Sequence, residues 1–599
     1  MSDSIDKNHL ERLHELDAYR QKVLLLPTEK IVDAILDHPQ SVALVHSFSE
    51  IDLHLLIRDI GLDDALPLIQ LASSRQWEYF LDAEIWNRDE LDYPAATRWL
   101  GLLLEADPNR LVNWCFDDQL EFVELYLFRN IELRIREFDQ APSELGEGFV
   151  TDDDTFYIRF VTDPIHMPLD ETRKSQRDAM LAELLHRISA ADHVRYQGLL
   201  MEASAVIPAE MEEELFRLRN VRLAEKGLLP FHEAISVFKP LMPEDLKNRS
   251  KKRFYPPGSD ISLLPVPRLA ASFLETDTCF VRALKRIDDP RILGQLQTEV
   301  AGLCNQVIVA TQQTIHERRQ LAEVVETVSH YLSIGIERML ADTHPIDDAE
   351  AAALLCDCFL ADLFSVGYAG ALDLRRRAIQ WQKSSWFRKA GLKLSFWDEA
   401  WMGLLGGLLI DRPKCYDPAQ DKGSVYRDFH TLAEINAAET LLDQIIWIDT
   451  VLPRLFIPDA KDRDPGFFTY KSLLLTSWVW SRLNITPDKD LAVPVSLFKP
   501  FYQGLWTELQ GRRMVDADRR SLFADWLEDL AEKDPDLPDQ NREGRLALGK
   551  SLAGALFDEV EAELSAVRPG NLDPRHIRLF LLKSGSNGGN QDPEGSGSG

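Results

Sequence analysis

Between residues 25 and 125 a helix breaker or a capping residue follows nearly every short apolar-periodic segment, so no helix there can run beyond about four turns. Pro27 precedes the segment from Thr28 to Leu36, and Ser49 precedes EIDLHLLIRDI, which meets Gly61. LDDALPLIQLA follows, and Ser73 or Ser74 stands before RQWEYFLDAEIW. Next come YPAATRWLGLLLEA, stopped at Asp107-Pro108, and NRLVNWCF. A Ser oxygen accepts from an unpaired first-turn N–H, and Gly permits a left-handed exit. Short amphipathic helices at this spacing bury their apolar faces on one another, which reads as a solenoid-like helical-repeat region.

The period changes at residue 131. IELRIREF alternates apolar and charged residues over Ile131–Phe138. Two β-branched and aromatic runs between Gly148 and Val161 flank the turn Asp152–Asp154, the pattern of a small antiparallel hairpin. Helical periodicity returns from Leu169. Thr311 to Leu340 holds no internal proline and reads as one long helix. The expected fold is mainly α: a helical-repeat start, a small antiparallel β hairpin element and a helical-bundle remainder. The expected divisions are an extension (1–24), the repeat region (25–130), the β element (131–165) and a charged helical region (166–245). A basic, proline-containing linker (246–262) precedes helical regions at 263–410 and 411–583, and a Gly/Ser-rich flexible tail (584–599) ends the chain.

Acidic residues outnumber basic ones 98 to 67 in 599 residues, a formal charge of −31. That field repels nucleic acid and anionic lipid, which excludes them as default partners. Six cysteines are too few for a disulfide scaffold and suit a reducing compartment. The charged N-terminus lacks the apolar core of a signal peptide. The longest apolar run, Trp401–Ile410, is far shorter than the roughly 20 residues that span a bilayer. The expectation is a soluble, cytoplasmic protein without membrane insertion. The sequence holds no phosphate-binding loop, dinucleotide fingerprint, His-Glu-x-x-His or Gly-x-Ser-x-Gly, so no cofactor and no metal is expected.

Three blocks carry a resemblance: Ile57–Trp86, Glu212–Ala234 and LFSVGYAGALDLRRRAIQW at Leu363–Trp381. Together they resemble a family of large uncharacterised helical proteins of anaerobic sulfate- and metal-reducing bacteria, over roughly residues 24–583. The family bears only a domain-of-unknown-function label, so the resemblance implies no catalytic residue. The helix-and-break rhythm of residues 25–125 is also similar to the cytosolic helical domain of MgtE-type magnesium channels.

Four features carry candidate chemistry. The block from Tyr196 to Arg222 contains Glu202, Glu210, Glu212, Glu213, Glu214, Arg217, Arg219, Asn220 and Arg222. It is either a solvated helix braced by ion pairs or a cleft wall whose guanidinium forks hold an anion. His316, Glu323, His330 and Glu337 recur every seven residues, with Glu326 four before His330. Neighbours in that stripe lie about 10 Å apart along a helix, too far to share a metal. Cys356 and Cys358 lie in an apolar run without a matching pair, which reads as packing.

The fourth feature is basic and aromatic: Arg375, Arg376, Arg377, Lys383, Arg388, Lys389 and Lys393 interleave with Trp381, Trp386, Phe387 and Phe396. Such a composition marks interface hot spots or a platform for single-stranded nucleic acid or a phosphate ligand, or else internal charge compensation. Asn248–Phe254 is a smaller basic patch. The leading functional expectation is a scaffold or adaptor that binds a protein partner through Arg375, Arg376, Arg377, Trp381, Trp386 and Arg388. The alternative is an enzyme or small anionic-ligand binder with its cleft at Glu202, Glu210, Glu213, Glu214, Arg217, Arg219 and Arg222. A third reading is response to divalent cations through Asp59, Asp63 and Asp64.

Overall fold

A computed structural model describes residues 15–16, 18–20, 22–24, 26–87, 89–161, 170–225, 231–249, 251–252, 277–313, 315, 318–341, 345–419, 424–455, 468–487, 491–509, 512–532 and 542–584. The fold is mainly α, and the strands form small two-stranded sheets. The chain divides into two compact units, residues 1–367 and residues 368–599. No described helix is long and apolar enough to cross a membrane.

In residues 1–367 the breaks fall where local chemistry sets them. Ser49 accepts from Asp52 N–H at the start of the helix Glu50–Ile60, which ends at Gly61 with φ 104°. Ser73 and Gln76 form a reciprocal capping box on the helix Ser74–Glu84. Asp107 ends the helix Tyr93–Ala106 and caps Pro108–Asp117. Each short helix buries an apolar face on sequence neighbours, with Leu53, Leu56, Trp77, Phe80 and Leu103 almost fully buried. Alone, helices this short are marginal in water; packing stabilises them.

The hairpin pairs Ile131–Ile135 with Phe156–Phe160 antiparallel, Leu133 opposite Ile158. Val150 bridges the other side of Ile158. Asp153 Oδ1 accepts from the N–H groups of Thr155 and Phe156, and Asp154 takes φ 58°. The DDD triplet is therefore the tight turn that leads into the second strand.

The single helix expected over Thr311–Leu340 is present but begins later, as Arg318–Met339, and a separate long helix, Pro290–Thr311, precedes it. Gln312 enters the left-handed region at φ 54°, and Gln313 N–H returns to Ile308 C=O. This closure usually carries Gly or Asn, so a glutamine there gives no sequence signal. His316 lies outside the described residues, and His330 is buried.

Helix Arg318–Met339 crosses Leu360–Ser384 through glycine. A Cβ on Gly335 would lie 2.1 Å from Leu363 O, and one on Gly367 would lie 2.0 Å from Tyr331 O. The backbones touch there because neither residue has a side chain. The basic segment before residue 253, expected as an exposed linker, is partly docked. Lys251 pairs with Asp357 at 2.6 Å, and the buried Lys252 pairs with Glu299 at 2.5 Å.

Residues 368–599 pack around aromatic rings. Trp381, Phe387, Phe396 and Trp397 form a continuous cluster, and Trp401 stacks on Tyr470 at 4.1 Å. The apolar run from Trp401 lies mainly in the helix Asp398–Leu409. Its Gly407 sits under Lys414 C=O, where a Cβ would approach to 2.5 Å. Asp449, on the helix Leu432–Val451, accepts from the N–H groups of Trp386 and Phe387 at 3.0 and 2.9 Å.

Candidate functional site

Two of the short capped helices carry polar residues on faces that should be apolar. His54 on Glu50–Ile60 is 6% exposed, and its Nε2 lies 2.7 Å from Glu84 Oε1. Glu84 Oε2 lies 3.4 Å from Arg58 Nη1, so one carboxylate is held between an imidazole and a guanidinium. With Nε2 engaged, Nδ1 is the remaining ring nitrogen of His54. The ring of Tyr79 stands edge-on to it, centroids 5.7 Å apart. Burial, reinforced by Glu50 and Asp82, pushes the Tyr79 phenol up, so it stays protonated and can donate.

The helix Pro208–Glu225 docks on this pair through its arginines. Arg222 Nε and Nη2 donate to the two oxygens of the buried Asp82 at 2.8 and 2.6 Å, a two-point fork. Arg219 Nε donates to Asp82 C=O at 2.7 Å. Its guanidinium carbon lies 5.7 Å from the Trp86 ring and 5.8 Å from the Phe216 ring, within cation–π range. Burial lowers the Arg219 guanidinium to about 10, opposed by the charge of Asp82. Among the described residues no carboxylate comes within ion-pair distance of it.

His54, Tyr79, Glu84, Trp86, Phe216 and Arg219 line one cavity of about 1200 Å³ in residues 1–367, together with Asn305 from the helix Pro290–Thr311. Much of its wall is apolar, including Ile51, Leu55, Val221 and Ile308. Tyr79 and Asn305 are 5% and 7% exposed. Among the described residues neither the Tyr79 hydroxyl nor the Asn305 amide makes a hydrogen bond, and neither is a fully buried atom left without a partner, so both open on the cavity. Polar groups also line it, the carboxylates of Glu84, Asp89 and Glu233 among them; a large cavity with apolar walls and converging polar groups is the usual form of a small-molecule site.

The residues singled out in the sequence fall in different places. Arg217 and Arg219 line the cavity, and Arg222 anchors its wall. Glu210, Glu213 and Glu214 are exposed, and Glu214 pairs with Arg217 along its own helix. Glu202 lies apart, exposed and beside Glu124. Glu212 accepts from Leu91 N–H at 2.8 Å.

Of the basic aromatic island, Arg375 donates to Ile410 C=O and Asp411, and Arg377 to Glu439 and Asp443. Trp381 is buried in the aromatic cluster, and Trp386 is half-buried. Arg376 and Arg388 are exposed, Arg376 pairing with Asp373. Burial pushes the thiols of Cys115 and Cys304 up to about 12, and raises those of Cys356 and Cys358. Among the described residues no group of three or more His, Cys, Asp or Glu is arranged to hold a metal ion. Asp59 accepts from Thr28 and pairs with Arg318 at 2.8 Å.

Sequence reasoning missed His54, Tyr79, Asp82, Glu84 and Asn305. The available signal was a charged or polar residue on the apolar face of a short helix: His54 among leucines, and Asp82 beside Leu81 and Phe80. Comparison with curated proteins and with solved structures gives no match. The model of the family described as "Family of unknown function (DUF6178)" matches residues 7–583, and the chain belongs to that family.

Proposed function

We propose that residues 1–367 bind a small organic anion with an apolar body. One observation carries this reading: one cavity is lined by a half-buried guanidinium with no carboxylate in ion-pair distance and by a phenol and an amide with no hydrogen-bond partner, among the described residues. Buried polar groups are normally hydrogen-bonded, and a buried charge is normally paired. A ligand carboxylate, phosphate or sulfonate on Arg219, with polar atoms reaching Tyr79 and Asn305, would supply those partners. Trp86, Phe216 and the aliphatic wall would cover its apolar part.

The adaptor reading has less support, because Arg375, Arg377 and Trp381 have partners inside residues 368–599. The cation reading is weakened by the engagement of Asp59 with Arg318. On the six free cysteines we also propose a reducing, cytoplasmic location.

Two fluorescent probes test the binding site. They are 8-anilinonaphthalene-1-sulfonate and its uncharged relative N-phenyl-1-naphthylamine. Arg219→Gln should weaken the sulfonate about tenfold or more, the scale of one charge-assisted contact, and leave the neutral probe unchanged. Equal effects on both probes, or no saturable binding of either, would contradict the proposal.

A further inference from the structure

Resting on the binding reading, we infer that the cavity is also a catalytic site in which His54 acts as a general base and Glu84 as its positioning residue. The substrate class is a small organic acid whose anion sits on Arg219 and whose C–H is acidified by a neighbouring carbonyl. The geometry has the parts such a reaction needs. His54 Nε2–H faces Glu84 Oε1 at 2.7 Å, and Glu84 is itself held by Arg58. That arrangement fixes the tautomer that leaves Nδ1 as the acceptor, as a carboxylate does for any base histidine. The edge-on phenol of Tyr79 lies in the same wall, buried and without a protein acceptor among the described residues.

The step is a proton transfer. Nδ1 takes the proton from the carbon next to the carbonyl. The C–H electron pair becomes the new C=C bond, and the carbonyl π pair moves onto oxygen, giving an enolate that accepts the Tyr79 O–H. The imidazolium is stabilised by Glu84. Return of the same proton to a different atom of the enolate gives an isomer and restores His54, so no second reactant is consumed.

The test uses the full chain and 5-nitrobenzisoxazole, whose C3–H is removed by a base as the N–O bond breaks to give a nitrile and a phenolate. Saturable elimination by the native chain is expected. His54→Gln should lower kcat about a hundredfold, the usual share of a positioned base. Glu84→Gln, which keeps the imidazole, should lower kcat with KM unchanged, and Glu84→Asp should restore part of it. Elimination equal in native and His54→Gln chains, with sulfonate-probe binding intact, would overturn the base and leave the binding site standing. Absence of both elimination and probe binding would overturn both.

Discussion

Arg222 and Asp82 form a two-point ion pair that joins the helix Pro208–Glu225 to the helix Ser74–Glu84. Asp82 is 2% exposed, and Glu78 lies 3.4 Å from the same guanidinium. Three residues along the helix, Arg219 is thereby presented to the cavity rather than to solvent. The ion pair holds together the helix that carries Arg219 and the helix that carries Tyr79 and Glu84.

Removing one partner of that pair strands the other. Arg222→Ala should lower stability by about 3 kcal/mol or more, since a buried carboxylate is left uncompensated. Arg222→Lys should recover only part, because an ammonium cannot fork. Urea unfolding of the three chains measures the difference. Equal midpoints for the native chain and Arg222→Ala would contradict the role given to the pair.

Glycine holds the crossing between Arg318–Met339 and Leu360–Ser384. Gly335→Ala places a methyl against Leu363 C=O and should cost about 1–3 kcal/mol as the helices move apart. Gly294→Ala is the control: nothing lies within 4 Å of its Cβ position. There the lower entropy loss of alanine should add up to about 1 kcal/mol. Thermal midpoints that shift in the same direction would refute the close-contact account.

The carboxyl of Glu124 gives a pH dependence. Burial, the hydrogen bond to Glu202 and the charges of Glu202 and Glu121 push it from 4.5 up to about 7. Through that window the folded chain keeps a proton that the unfolded chain releases. Stability from this group is therefore full below the unfolded value and is lost as pH rises toward 7. With solvent screening allowed for, the loss is about 1–2 kcal/mol. Urea midpoints at acidic and mildly alkaline pH should show it in the native chain and not in Glu124→Gln. The same slope in both would remove Glu124 as its source.

Asp449 closes a short helix from a distant element. Its two oxygens take the N–H groups of Trp386 and Phe387, and burial raises its carboxyl above the usual range. Asp449→Ala should cost about 1–3 kcal/mol, the price of leaving buried donors unpaired. It should also change the tryptophan fluorescence of the Trp381–Trp397 cluster. An unaltered spectrum and midpoint would show that the cap contributes nothing.

What could be read in the sequence was local. Ser49, Gly61, Ser73 and Asp107 set helix ends through their own chemistry, and the structure has them in those roles. The break at Gln312 was illegible because an ordinary residue takes a left-handed conformation there under tertiary packing. The charged block named Arg219 and Arg222 as candidates. It could not tell them from Glu210, Glu213 and Glu214, because all sit on one helix and only packing decides which side turns inward. His54, Glu84 and Tyr79 come from two nearby helices and Asn305 from a third far along the chain, and no linear spacing marks such a meeting.

Diffraction from crystals grown with 4-bromobenzoate tests most directly whether the cavity beside Arg219 holds a small organic anion. One strong bromine anomalous peak is expected inside the cavity, with the carboxylate on Arg219 and the ring against Trp86 and Phe216. An empty cavity at saturating ligand, or a carboxylate that sits away from Arg219, would contradict it.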